Sequence, residues 1–374
     1  MTGEVERAMK KLLIATLFLL SAVQAAGAEA KLCPSAAVGE AVTQTVAGKA
    51  TGAVLVAYGG CILWRGGIGD TAKGIPAPQP DTIFDALSIG KTFTAIAVQE
   101  LANQRRIALA FPIRRYVPKL PYGDITVQDA LDNNGGLTAY LPHGDDTTPR
   151  TAEGLLRALT PALHPRRSGS GYAYSNVGFQ VLGLMVQTVT QEDLASAMRR
   201  LVFAPAGLQS TEFFSAPSLK GKSVAVGYVN GKRTGSPATW PHTWSLLGAA
   251  GIATTVDDLY RLNRYFIAGT GLGPAGRKRM LAAGATTGGR GPMHVARKDT
   301  VSYGSGLYHW RDEQGRHIHF HGGDGDFGFH ALMLWREEDD VFIAGLFNSG
   351  SPADSFSREE FTSKLLAAAE RSHK

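Results

Sequence analysis

Hydrophobic and polar positions alternate in two different ways along this chain, and the change from one to the other predicts its architecture. Gly52 to Tyr58 and Ile62 to Gly66 are short apolar runs around Gly59-Gly60, a hairpin signal, and Ala36 to Val46 ahead of them reads as a short helix. Beyond a Pro-rich passage, Gly74 to Pro80, the stretch Lys91 to Leu101 has helical composition and no breaker. Phe111 to Gly136 is loop-rich. Asn176 to Val189 reads as a second buried helix and Asp193 to Leu201 as a third. Thr255, with Asp258 three residues on, caps a further helix over Val256 to Phe266. Past Gly291 the pattern turns to short strands: Val301 to Trp310, Arg316 to Phe320, Phe329 to Trp335 and Val341 to Phe347. Arg358 to Ala369 closes the chain as a helix, with Ser357 and Glu360 placed as a capping box. Strands at both ends with helices between predict a mixed α/β (α+β) fold. One antiparallel sheet, flanked by helices, is built from both termini: residues 29–100 and 250–374 supply its lobe. Residues 101–249 form an inserted, mostly helical lobe.

The N-terminus follows a different logic. Lys10-Lys11, the apolar run Leu12 to Val23 and Ala26-Gly27-Ala28 read as a secretory signal peptide over residues 1–28, with Met9 as its start. The run is too short to serve as a stable membrane anchor, and Ala30-Lys31-Leu32 before Cys33 is not a lipobox. The mature protein is expected in the periplasm or outside the cell. Export would permit a disulfide between Cys33 and Cys61, the only cysteines; two unpaired thiols remain the alternative.

Composition then narrows the function classes. With 44% hydrophobic residues the chain can build a packed core, and two cysteines exclude a Cys-rich zinc module. The net charge of +6 comes from basic pairs as far apart as Arg105-Arg106 and Arg199-Arg200, with no dense stripe to follow phosphates, so no nucleic-acid partner is expected.

Three short motifs carry candidate chemistry. Ser88-Ile89-Gly90-Lys91 opens a helix, and a spacing of three puts both side chains on one face. A lysine desolvated enough to be neutral can take the serine proton there. Alone, the motif also fits a serine N-cap. Tyr174-Ser175-Asn176 follows the loop Ser168 to Gly171 and opens another helix, where it equally fits a capping pair beside a packed tyrosine. His321-Gly322-Gly323 ends a strand at a tight turn, which also suits a β-turn with one exposed histidine.

In order and spacing the three motifs resemble those of the serine β-lactamase and penicillin-binding-protein superfamily, in its class C-like branch of esterases, D-peptidases and amidases. Tyr174 to Phe179, Phe203 to Leu208, Gly248 to Ile252 and Tyr303 to Leu307 are similar to segments of that branch, over roughly residues 50 to 365. The resemblance implies an exported serine hydrolase with Ser88 as acylated nucleophile, Lys91 as its partner and Tyr174 as general base or proton shuttle. It implies Asn176 as a donor to the substrate amide, and the backbone N–H groups of Ser88 and Asp324, next to Gly323, as an oxyanion hole. No cofactor or metal is implied, and the partner is a small ester, amide or peptide substrate. Two further readings share the scaffold: a penicillin- or peptidoglycan-binding protein or weak class C-type β-lactamase, and a catalytically inactive binding module.

The departure is at the third motif, where β-lactamases have Lys-Thr-Gly. A neutral His321 implies poor binding of carboxylate-bearing substrates such as penicillins. If His321 meets a carboxylate, it is expected to charge towards about pH 6 and favour such substrates.

Other patterns lead nowhere. Gly323 to Gly328 fits G-x-G-x-x-G, but a strand follows where a dinucleotide site needs a helix. Gly271 to Gly276 fits too and reads as a loop. His317 and His319, on the same strand face as His321, read as surface residues rather than metal ligands. Ser88, Asp257 and His321 stand in the order of an α/β-hydrolase triad, but the repeating β-α units of that fold are missing. Specificity is expected in the loops Asn133 to Arg150 and Lys222 to Trp244, with Tyr140, Trp240, Trp244 and Phe327 as candidate walls.

Overall fold

The structure, a computed structural model, describes residues 31–69, 75, 77–141, 149–288, 301–350 and 356–372. The expected signal peptide and part of the first specificity loop, 142–148, lie outside them. The N-terminal strands are β1 (Lys31–Leu32), β2 (Thr51–Tyr58) and β3 (Cys61–Ile68). Six short strands lie in mid-chain: β4 (Phe84–Asp85), β5 (Glu212–Phe213) and β8 (Ile252–Thr254) form a small sheet in the order β4-β8-β5, β6 (Gly227–Val229) pairs with β7 (Lys232–Gly235), and β9 (Ala285–Thr286) joins the large sheet. The C-terminal strands are β10 (Ser302–Gly304), β11 (Leu307–Arg311), β12 (His317–Asp324), β13 (His330–Arg336) and β14 (Val341–Ser349). Nine of them form one sheet in the order β1-β3-β2-β14-β13-β12-β11-β10-β9, antiparallel except for the β1–β3 pair. The N-terminal β2 and the last strand, β14, lie side by side within it, with Ile343 opposite Val56. This is the mixed α/β sheet built from both termini that the residue pattern predicts.

Side-chain alternation on β14 explains why both faces of the sheet are covered. Phe342 points to Tyr260 on the helix Val256–Leu262, with ring centroids 5.3 Å apart. Phe347 points to the other face, against Phe361 of the C-terminal helix Arg358–Arg371 at 5.7 Å. That helix also packs on Ala36–Val46. Thr255 Oγ1 accepts from Asp258 N and Ser357 Oγ from Glu360 N, as the sequence implies, although the Glu360 carboxylate turns to Lys364 instead of closing a capping box; Ser35 Oγ likewise accepts from Val38 N.

The helix Gly90–Asn103 is buried almost all round, which its fully buried polar residues permit because they find partners. Thr92 Oγ1 donates to Gly306 O at 2.8 Å, Thr94 Oγ1 to Gly248 O at 2.7 Å, and Gln99 Nε2 to Ser305 Oγ at 3.2 Å. Neighbouring helices Asn176–Thr190 and Gly273–Met280 complete its surroundings.

Several expectations are corrected. Val301 to Trp310 is two antiparallel strands, because Ser305 and Gly306 both adopt positive φ (47° and 73°) and turn the chain back between them. Gly271 to Gly276 is not all loop: a helix starts at Gly273, with Pro274 in its first turn, where no N–H is needed. The strand holding His321-Gly322-Gly323 runs on to Asp324, and the turn comes after it. The helices after Asp193 and Thr255 each finish in a widened π turn, Arg199–Phe203 and Asn263–Ile267.

Cys33 and Cys61 form a disulfide, Cα atoms 5.8 Å apart, which ties β1 to β3. The bridge closes a loop of 28 residues in sequence separation, worth about 3–4 kcal/mol through the unfolded chain. Cys33→Ser/Cys61→Ser is expected to lose about that much in urea unfolding, and reductant should shift the wild type but not the variant. Equal stability of the two would mean the bridge constrains nothing.

Candidate active site

Between β4 and the Gly90–Asn103 helix the chain makes a single turn, half-buried at Leu87 and Ser88. Phe84 and Asp85 pair with Thr254 and Ala253, and Ala86 N donates to Ile252 O at 2.8 Å. Leu87 then takes φ +50°, an uncommon conformation for a branched side chain, and Leu87–Ile89 form one 3-10 turn. Ser88, in mid-turn, makes no capping hydrogen bond to the helix that follows. Its hydroxyl is half-buried and instead faces Lys91 and Tyr174.

Lys91 is fully buried, with Nζ 3.0 Å from Ser88 Oγ and 3.1 Å from Ala249 O. Burial, with no carboxylate beside it, holds its ammonium well below the ordinary lysine range. A neutral amine here donates to Ala249 O and keeps a lone pair for the Ser88 proton. The Tyr174 hydroxyl is hydrogen-bonded to Ser88, and Lys91 Nζ sits 4.8 Å from its ring centroid. Burial pushes the Tyr174 phenol up from its usual value, so it remains protonated. Ser175 is the N-cap of its helix, taking Gly178 N at 2.9 Å and giving its own proton to Thr138 O at 2.7 Å. Capping and site geometry are thus shared by adjacent residues.

The other wall is the end of β12. Its pairing with β11 stops at Phe320, opposite Tyr308, so residues 321–324 present a bare edge to the Ser88 turn. A methyl placed on Gly323 would lie 2.8 Å from Ser88 N and 2.5 Å from Leu87 Cβ, so glycine is what lets the strand approach this closely. Asp324 follows, its carboxylate bonded to His330 Nδ1 at 2.8 Å and to Arg358, and held below the usual range by these partners against its burial.

The structure brings together Ser88, Lys91, Tyr174 and Gly323. It puts Asn176 at the first position of the helix Asn176–Thr190, its N–H on Ala139 O, and no hydrogen bond among the described residues ties its side chain to Ser88 or Lys91. His321 is placed otherwise than expected. It is 1% exposed, with Nδ1 on Gly322 O at 2.8 Å and Nε2 3.1 Å from the Tyr303 hydroxyl, so neither ring nitrogen is open to a ligand. Burial, then the proximity of Lys91, lowers its pKa to about 3. His321 as a substrate-binding residue is therefore corrected, and the condition for its charging near pH 6, contact with a carboxylate, is not met.

Further expectations change in the same way. Trp244 is 5% exposed and cannot wall a cleft, while Tyr140 (62%) and Phe327 (52%) stand out, the Phe327 ring tilted against Trp240 with centroids 5.3 Å apart. His319 is buried rather than on the surface, between Trp335 and the Nδ1 of His309 at 2.8 Å. Asp257 pairs with Arg65 at 2.6 Å, so the alternative triad is not assembled. No group of three or more His, Cys, Asp or Glu among the described residues could hold a metal ion. Sequence reasoning missed the Ala249 carbonyl, the left-handed Leu87 and Asp85; an acidic residue inside the apolar run Ile83 to Leu87 was the one available signal.

Comparison with known proteins follows from this geometry. The family pattern described as Beta-lactamase matches residues 38–368. Esterase EstB of Burkholderia gladioli is 28% identical over 289 residues, 63% of this chain and 72% of its own length. Penicillin-binding protein 4* of Bacillus subtilis (strain 168) is 24% identical over 174 residues, and the match spans 44% of this chain but only 38% of that protein. D-amino acid amidase from Ochrobactrum anthropi SV3 superposes with a TM-score of 0.74 at 20% identity, covering 90% of this chain and all of that one.

Proposed function

The chain belongs to the β-lactamase family of serine hydrolases, and on that premise we propose that it hydrolyses an ester or amide through an acyl-enzyme at Ser88. The observation that carries this reading is the buried Lys91 amine, with no carboxylate beside it among the described residues, 3.0 Å from Ser88 Oγ. Ser88 Oγ attacks the substrate carbonyl as its proton passes to Lys91 Nζ. The bond to the leaving group breaks, and the Tyr174 hydroxyl, hydrogen-bonded to Ser88, relays the proton to the departing oxygen or nitrogen. The Ser88 N–H and the edge of β12 at Asp324 receive the oxyanion. Water then attacks the acyl carbon, releases the acid and returns the proton to Ser88.

On the substrate side, no cation among the described residues stands free where β-lactamases carry one, because His321 is neutral and Arg358 is paired with Asp324. Neutral acyl groups suit this site better than penicillins, and the exposed rings of Tyr140 and Phe327 suit apolar ones. The Cys33–Cys61 bridge and the N-terminal Lys10 to Ala28 pattern support export to an oxidising compartment.

Intact-protein mass spectrometry tests the reading, using wild type and Ser88→Ala with a short-chain nitrophenyl ester and, separately, a penicillin. Turnover of the ester by wild type, none by Ser88→Ala and no lasting penicillin adduct is the expected result. A persistent penicillin adduct without turnover would instead make the protein a penicillin-binding one.

A further inference from the structure

The side chain of Asp85 is buried, yet the steps just described do not use it. Its residue is 6% exposed and lies in β4, three positions before the proposed nucleophile. One oxygen, Oδ1, accepts the N–H of Leu87 at 2.7 Å. That N–H belongs to the residue whose φ of +50° aims Ser88 into the cleft. On the other side, the side chain of Leu87 is pressed by β12: methyls placed on Gly323 and Gly325 would lie 2.5 Å from its Cβ and 2.9 Å from its Cδ2. Leu87 is thus gripped from below by a hydrogen bond and from above by the strand that forms the oxyanion side.

The left-handed conformation is disfavoured for a residue with a Cβ, and it persists only where its surroundings over-determine it. The Asp85 acceptor is the polar half of that determination. Without it, the Leu87 N–H would be left without its acceptor and the turn could relax towards φ below zero, rotating Ser88 Oγ away from Lys91. Burial pushes the Asp85 carboxyl up to about 7, against the pull of the Leu87 N–H. The influences on it are burial and that single hydrogen bond, so what the site uses is an acceptor of a given shape and not a paired charge.

We propose that Asp85 is a positioning residue for the hydrolytic reaction, its side-chain acceptor holding Leu87 left-handed so that Ser88 meets both Lys91 and the edge of β12. The proposal rests on Ser88 being the nucleophile. It predicts that a neutral isostere does the same work as the carboxylate, and that losing the acceptor acts on turnover and not on substrate binding.

The experiment measures kcat and KM for a short-chain nitrophenyl ester with purified wild type, Asp85→Asn, Asp85→Ala and Ser88→Ala, alongside thermal unfolding of each. Asp85→Asn should keep kcat within about threefold of wild type. Asp85→Ala should lose about tenfold to a hundredfold in kcat, the scale of a small misplacement of a reacting group, with KM within about twofold. Wild-type kcat in a folded Asp85→Ala overturns the proposal, and so does an equal loss in Asp85→Asn and Asp85→Ala. If Asp85→Ala does not fold, the same replacement is made together with Leu87→Gly, since glycine takes positive φ without strain. Recovery of folding with kcat near that of Leu87→Gly alone supports the coupling. A double variant that stays unfolded, or folds with kcat well below Leu87→Gly alone, makes Asp85 a packing residue and overturns it. Ser88→Ala separates the two ideas: turnover surviving there defeats the nucleophile assignment, whereas its loss with no effect at Asp85 defeats only this proposal.

Discussion

Lys91→Met is expected to lower kcat/KM for a neutral ester by about a thousandfold or more while raising the stability of the fold. The first half follows from proton transfer: positioned general bases contribute typically about 10²–10⁴-fold, and the Lys91 amine lies 3.0 Å from the Ser88 hydroxyl. The second half follows from burial. Lys91 is completely enclosed and its pKa lies well below that of a free lysine, so the folded state binds fewer protons than the unfolded state over that interval. Stability therefore rises with pH between the folded and the unfolded lysine pKa values, and the cost of burying the amine is largest below that window. Methionine has similar length and no charge to desolvate. The unfolding temperature of Lys91→Met should exceed that of wild type at pH 7, and the gap should close as pH approaches about 10.4, the value of an unperturbed lysine. The kinetic profile carries the same group: wild-type kcat/KM should fall on the acid side as the amine protonates. A variant that is stabilised but fully active would remove Lys91 from the proton path and leave Tyr174 as the base.

What the sequence made legible, and what it did not, divides by the range of the interactions. Two helix starts were readable because a cap is local: Thr255 and Ser357 each bind an N–H three residues on. Ser88 and Lys91 were readable for the same reason, since one turn of chain brings them together. The surroundings of His321 were not, because its partner Tyr303 comes from another strand, 18 residues away in sequence, and its burial depends on how β10, β11 and β12 stack. His319 was misread on the same ground: alternation says which side of a strand it faces, but not that Trp335 and His309 cover that side. The start of the helix at Gly273 was missed by treating a proline as a breaker where it occupies the first turn. A turn of two residues, Ser305-Gly306, was hidden inside a run that reads as one strand.

The histidine in the third motif gains a physical sense from these contacts. In place of an exposed cation, the strand inserts a neutral ring between Tyr303 and Tyr308, with centroids 5.8 and 5.7 Å away. Tyr172 closes the cluster through its hydroxyl, 2.8 Å from that of Tyr308. The wall behind Tyr174 is therefore aromatic and uncharged. That raises the cost of ionising Tyr174 and leaves the nearby Lys91 as the group able to accept a proton at neutral pH.

Gly323→Ala is the second replacement with a large expected effect, and it acts through space alone. The added methyl would stand 2.5 Å from Leu87 Cβ, 2.8 Å from Ser88 N and 3.5 Å from Ser88 Cβ. Two of these distances are too short to survive, so either β12 or the Ser88 turn must move. Both movements widen the gap in which the oxyanion has to be held, and loss of one well-placed donor costs about 10²–10³ in kcat. We expect a loss of that order, KM changed by less than about threefold, and an unfolding temperature lowered by a few degrees. Gly322→Ala is the matched comparison. Its methyl would press on Ala331 O and Phe320 Cζ, each at 2.9 Å, and on Arg358 at 3.1 Å, away from Ser88. It should cost a similar amount of stability and far less kcat. Stopped-flow measurement of the first turnover would separate the acylation step from release of the acid. If Gly323→Ala acylates as fast as wild type, the edge of β12 does not form the oxyanion side of the site, and the donor opposite Ser88 has to be sought elsewhere in the cleft.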